Sequence, residues 1–139
     1  MKLRKVMFDD WELLLNWRND PLTIRNSFTE GEVTAETHKL WFNDSLMNPR
    51  RNIYILEENS LPIGTIRSDI LSKNEYLLSW DISPTQRGKG LGTKILKIYL
   101  QNKKGKFIAQ IKSDNLPSIK IAKNNGFIYS NQTQYTKHQ

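Results

Sequence analysis

The chain contains no cysteine. That absence excludes disulfides, thiolate zinc sites and a cysteine acyl-enzyme intermediate. It fits a cytoplasmic protein, and no metal is expected. Long apolar runs are also missing. None approaches the roughly 20 residues that a helix needs to cross a bilayer. The opening Met1-Lys2-Leu3-Arg4-Lys5-Val6-Met7-Phe8 has neither the apolar stretch nor the small-residue cleavage site of an export signal. No membrane partner is expected. Negative charge is scarce: 14 Asp and Glu against 21 Lys and Arg give a net charge of +7. The excess favours an anionic small-molecule partner, although a composition rich in Lys, Asn and Ile accounts for it equally well. The basic residues are scattered apart from Lys103-Lys104-Gly105-Lys106, with no stripe interleaved with aromatics. Nucleic acid is therefore not expected.

What is present suits one domain over residues 1–139 with one core: 37% hydrophobic residues, including four Trp, five Tyr and five Phe. Lys2 to Phe8 reads as a strand. Asp9 or Asp10 can cap a helix over Trp11–Arg18, which Asn19-Asp20-Pro21 ends. A short helical piece covers Leu22 to Ser27. Thr34 caps a helix to about Asn48, with Leu40, Trp41, Leu46 and Met47 expected to face inward. Alternation from Ile53 to Glu57, Pro62 to Ile70 and Tyr76 to Ile82, with turns between, predicts a three-strand antiparallel meander. A helix from about Gly90 to Gln101, a strand from Phe107 to Lys112 and a helix from Pro117 to about Asn124 follow. Phe127–Ser130 and Gln134–Thr136 are short strand candidates. These elements imply an α/β class: a single mixed, mostly antiparallel sheet flanked by helices.

Between the third meander strand and the next helix lies Arg87-Gly88-Lys89-Gly90-Leu91-Gly92. Glycine permits positive φ and leaves no Cβ to block a ligand. Successive N–H groups can curl around an anion, and the helix N-terminus adds free donors and a positive dipole end. Arg87 and Lys89 bring mobile positive charge, so the stretch reads as a diphosphate cradle. A flexible basic turn is the plainer alternative. A Walker loop is excluded because Thr93-Lys94 follows Gly92. A dinucleotide loop is excluded by the spacing and by the antiparallel strands before it.

Gln86-Arg87-Gly88-Lys89-Gly90-Leu91-Gly92 resembles the R-x-x-G-x-G cofactor signature of the GCN5-related N-acetyltransferase (GNAT) superfamily. Ile82 stands where that family places a hydrophobic strand residue. Asn115-Leu116-Pro117-Ser118-Ile119, ending in Asn125-Gly126-Phe127, is similar to the family's N-x-x-S … G-F segment. The resemblance covers nearly the whole chain and implies a GNAT-like acyl-CoA N-acyltransferase fold with acetyl-CoA as co-substrate. It implies that backbone from Arg87 to Thr93 binds the pyrophosphate, that backbone near Ile82 pairs with the pantetheine arm, and that Asn115 hydrogen-bonds that arm. It also implies a sheet that splays after the third meander strand. In many members a tyrosine of the last helix protonates the leaving thiolate. Spacing from Asn115 puts Ala122 there, so Tyr129, Tyr135 or solvent must substitute, unless both tyrosines merely pack.

Without cysteine, direct attack by an amine in a ternary complex is the natural route. The amine must lose a proton. Ser79 and Asp81 share one strand face by period two, and Trp80 and Ile82 the other. Ser79 could relay the proton through water and Asp81 could accept it; either could instead pair with strand neighbours. The N-terminal half is the acceptor side by resemblance. It looks like the branch that acetylates amino groups of nucleotide-linked sugars. Arg18, Arg25 and Arg67 could meet phosphate, while Trp41, Phe42 or Phe28 could stack on a base. His38 and Trp80 complete the expected substrate contacts, and core or surface roles are the alternatives for each. Acetylation of a ribosomal-protein N-terminus, or an inactive acyl-CoA-binding domain, are the other readings. A monomer or homodimer is expected.

Overall fold

The computed structural model describes residues 1–139. Strand β1 spans Lys2–Lys5, helix α1 Trp11–Arg18, α2 Pro21–Asn26 and α3 Ala35–Met47. The meander follows as β2 (Arg51–Glu58), β3 (Leu61–Ser72) and β4 (Glu75–Ile82). Then come α4 (Leu91–Leu100), β5 (Lys106–Gln110), α5 (Leu116–Asn124), β6 (Ile128–Asn131) and β7 (Gln134–His138).

The first strand stops at Lys5 rather than Phe8 because the chain turns early. Asp10 accepts the Met7 N–H at 2.8 Å and both outer nitrogens of Arg4 at 2.8 Å. Its carboxylate therefore closes a short 3₁₀ turn over Phe8–Asp10 and does not cap α1. Asp20 and Thr34 do cap, accepting from the N–H groups of Thr23 and Thr37 at 3.2 Å each.

The inward face of α3 departs from expectation. Leu40 and Met47 are 68% and 84% exposed, and Trp41 and Leu46 lie at the surface edge. The buried residues are His38, Phe42 and Ser45, one face at helical spacing. Their polar groups are satisfied, which makes the burial affordable. His38 Nε2 meets Trp11 O at 2.8 Å, and Ser45 Oγ accepts from Arg51 Nη1 at 3.1 Å.

All strands join one seven-stranded sheet in the order β1-β2-β3-β4-β5-β7-β6, and β4–β5 is its parallel pair. Strand alternation divides the core between the two sheet faces. Even-numbered residues such as Tyr54, Ile66 and Leu78 meet α4 and α5 in a cluster built on Ile95, Leu96 and Phe107. On the other face Ile53 joins Leu14, Trp17 and Phe42 under α1 and α3.

The sheet opens at one place. Pairing of β4 with β5 runs from Glu75↔Lys106 to Leu78↔Ala109 and stops, while β4 continues to Ile82. Ser83 N donates to Ile63 O at 2.8 Å and sets the phase of the ladder with β3. Asp81 and Ser79 accordingly bond toward β3. The backbone groups of Trp80 and Ile82 turn to the side that β5 has left.

Candidate active site

A cleft of about 1170 Å³ passes through this opening. On one sheet face it meets Gly90, Leu91, Gly92, Thr93, Asn115 and Ser118; on the other it meets Trp17, His38 and Trp41.

The glycines of the loop divide into two kinds. Gly88 and Gly90 have φ of +78° and +74°, and a Cβ built on either meets nothing within 4 Å. Both positions need left-handed backbone and both face open space. Gly92 is helical, and a Cβ there would lie 2.2 Å from Ile121 Cδ1. Its missing Cβ lets α4 and α5 pack closely. Gly90 is the N-cap of α4 and offers no side chain. The first intrahelical bond is Lys94 N to Gly90 O at 3.3 Å. The N–H groups of Leu91, Gly92 and Thr93 therefore have no partner within the helix. Such a terminus can hold an anion.

The two basic side chains of the loop are both hydrogen-bonded to neighbours. Lys89 Nζ bonds Gln86 Oε1 at 3.1 Å and lies outside the cleft. Arg87 Nη2 donates to Asp20 Oδ2 at 2.8 Å and to Thr23 Oγ1 at 3.0 Å, and stands 3.8 Å from Asp81 Oδ1. Its guanidinium ties the loop to the start of α2. Thr93 Oγ1 and O accept from Asn124 and Asn125 at 3.4 and 3.3 Å. Asn115 is buried and caps α5 through Oδ1, which accepts from Ser118 N at 3.3 Å. Asn115 also lines the cleft. Ile82 lines the opening with its side chain nearly covered.

Ser79 and Asp81 both line the cleft from the α1–α3 face. Asp81 accepts from Thr23 Oγ1 at 3.2 Å. Burial pushes its carboxyl up to about 6, against the opposing pull of Arg87. Thr23 and Asp20 escaped the sequence reading as site residues. Their partners Asp81 and Arg87 lie 58 and 67 residues away, and the only local signal was the Asp-Pro start of a helix.

Several expected contacts change. Tyr129 is half-exposed on the edge strand β6, edge-on to Tyr135 at 5.4 Å, and neither ring lines the cleft. Tyr129 cannot serve as the acid. Ala122 is fully buried in the core and presents nothing in its place. Arg25 is exposed and outside the cleft, with only its carbonyl engaged by Lys112 Nζ at 3.0 Å. Arg18 lines the wall, but its guanidinium braces the adjacent loop through Thr29 O at 3.0 Å and Gly31 O at 3.3 Å. His38 is a buried wall residue stacked on Phe42 at 6.0 Å. Its bond to a carbonyl requires a protonated Nε2, and burial lowers its pKa, so the neutral ring keeps Nδ1 as its one unengaged nitrogen.

Arg67 and Trp41 stay together. The Arg67 guanidinium is 5.8 Å from the Trp41 ring centroid and that of Arg51 5.5 Å. Burial lowers the Arg67 pKa, opposed by Asp69, whose Oδ2 is 3.2 Å from Nε without bonding alignment. Trp80 lines the cleft and its buried Nε1 has no partner.

The model of the family described as "Acetyltransferase (GNAT) domain" matches residues 1–128. No curated protein sequence matches the chain. Among solved structures, a domain from Methanocaldococcus jannaschii DSM 2661 superposes with a TM-score of 0.86 at 23% identity, covering 99% of this chain and 97% of that one. Aminoglycoside acetyltransferase AAC(6')-Ib in complex with coenzyme A gives 0.84 at 17% identity, covering 99% and 94%. Spermidine N-acetyltransferase from Vibrio cholerae, in complex with CoA and spermine, gives 0.84 at 15% identity, covering 98% and 91%. At these identities the structures speak for the fold. The family match, running from the first strand into the sixth, speaks for the activity: the chain belongs to the GNAT acetyltransferases and is an acetyl-CoA-dependent N-acetyltransferase.

Proposed function

We propose that the chain acetylates the primary amine of a small molecule whose remainder is anionic, with a nucleotide-linked amino sugar as the acceptor class. The observation that carries this reading is the charge of the cleft. Asp81 is its one lining carboxylate, against Arg18, Arg67, Arg87 and Lys120. A polycationic acceptor would meet the wrong sign.

Acetyl-CoA supplies the acyl group already activated as a thioester. In this reading the free amides from Gly88 to Thr93 hold its diphosphate. The outward backbone groups of Trp80 and Ile82 bond its pantetheine arm as an added strand would, and Asn115 Nδ2 donates to that arm. On the other face Asp81, with Ser79 beside it, takes a proton from the acceptor ammonium. The neutral amine then attacks the thioester carbon, a C–N bond forms, the C–S bond breaks, and the nitrogen gives up its second proton to solvent. A backbone N–H near Ile82 is the donor assigned to the oxyanion in this reading. With Tyr129 remote and Ala122 sealed, solvent protonates the departing thiolate. Trp41 and Arg67 form the wall suited to a base and a phosphate. The 139 residues act in this reading as one cytoplasmic domain, monomeric or dimeric. The sealed Ala122 favours a second reading, binding of acetyl-CoA without turnover.

Thiol release from acetyl-CoA, measured with a UDP-amino sugar, the free amino sugar, an N-terminal peptide and spermidine, tests the reading. The expected order puts the UDP-amino sugar at least ~10-fold above the free sugar in kcat/KM, equivalent to about 1.4 kcal/mol. Preference for the peptide or spermidine would contradict the acceptor class. Tight binding without turnover on any amine would favour the inactive domain.

A further inference from the structure

The Arg87 guanidinium lies between two carboxylates and bonds only one of them. Nη2 donates to Asp20 Oδ2 at 2.8 Å, whereas Asp81 Oδ1 stands 3.8 Å away without a hydrogen bond. Thr23 Oγ1 fills the gap: it accepts from Arg87 at 3.0 Å, and its single proton has Asp81 at 3.2 Å and, farther off, Asp20 at 3.4 Å within reach. Asp81 thus has a neutral hydroxyl where an arginine could have been. An arginine in direct contact would make a charge-assisted pair. It would draw the carboxylate down by roughly 1–3 units and leave a poor acceptor for an ammonium proton.

We infer that Asp20 is a positioning residue: by claiming the Arg87 guanidinium it keeps Asp81 free to take the proton of the acceptor amine. The inference rests on the proposed role of Asp81 as base. It gives the Asn19-Asp20-Pro21 turn a use beyond capping α2. The charged groups facing Asp81 are few. Helix α2 presents Asp20 at its N-cap, and the glycine loop presents Arg87. Strand β3 places Thr65 directly opposite and Arg67 across from Ser79, with Arg67 facing Asp69. Removing the Asp20 charge therefore acts on Asp81 twice in one direction. It deletes a repelling carboxylate and releases a guanidinium.

The test is Asp20→Asn in the full chain, since Asn also caps helices and leaves α2 its N-terminal acceptor. Asp20→Ser, another capping residue, serves if the first variant does not fold. Two quantities are read: the titration of the Asp81 carboxyl by ¹³C NMR, and the acid limb of kcat/KM with the best acceptor amine. We expect the Asp81 titration to fall by about 1 unit or more and the acid limb to move to lower pH with it. A purely structural Asp20 would shift neither, and an unmoved Asp81 titration in a folded variant overturns the inference. A titration that moves while the acid limb stays fixed upholds the hold of Asp20 on Arg87 and refutes Asp81 as the base.

Discussion

Burial raises the Asp81 carboxyl to about 6, so the ionised form that can accept a proton is the one the fold disfavours. The sign follows from linkage. A carboxyl whose folded value lies above its unfolded value lends stability in its protonated form, and that stability is lost as the pH rises through about 6. Asp81→Asn is therefore expected to melt several degrees above the parent chain at pH 7.5. The gain should be smaller at pH 5, where the folded carboxyl is protonated but the unfolded one is still ionised, and is lost in full only below about pH 4. Turnover at pH 7.5 should fall by ~100-fold or more, the usual worth of a general base. Melting curves at the two pH values check the first part and a rate assay the second. Protonation of His38, whose pKa burial lowers, contributes with the opposite sign, but it is common to both proteins and cancels. Asp81 was legible in the sequence because strand period alone puts it beside Ser79. The commitment of Arg87 was not, because its partner lies 67 residues away and no local pattern reports such a contact. Tyr129 misled for the same reason: spacing along the chain does not say that β6 ends up at the far edge of the sheet.

Helix α4 and the loop before it were the most legible elements. The apolar stripe Ile95, Leu96, Tyr99, Leu100 is buried as its spacing predicts, and two of the three loop glycines sit at positive φ. The third is a packing residue. Gly92→Ala would push Cβ toward Ile121 Cδ1 from a starting separation of 2.2 Å. The helix pair must move apart or Ile121 must leave its rotamer, at a cost of about 1–3 kcal/mol. We expect Gly92→Ala to lower Tm clearly and CoA affinity only in proportion to the shift of the helix. A loss of affinity with an unchanged Tm would show that the bare backbone at 92 matters more than the packing. Helix α3 was the least legible. Its large apolar residues Leu40 and Met47 point outward while a histidine and a serine point inward. Hydrophobicity alone assigns such a helix the wrong face, because His38 and Ser45 are buried on the strength of partners in α1 and β2.

Across the whole molecule, the order of strands and helices was readable, and with it the fold class. The opening between β4 and β5 was expected by resemblance only. Composition cannot show that a parallel pair stops at Leu78↔Ala109 while one strand runs on to Ile82. That early stop joins the two sheet faces in one cleft, with unpartnered amides on one side and Asp81 on the other. The net charge of +7 has a local counterpart in the basic lining of the same cleft. The account rests on those amides receiving a diphosphate. A ¹⁵N–¹H titration of the full chain with CoA observes them individually. The resonances of Gly88, Gly90, Leu91, Gly92 and Thr93 should shift most, saturating together with a single affinity. If they stay in place while CoA binds through other amides, the account is contradicted.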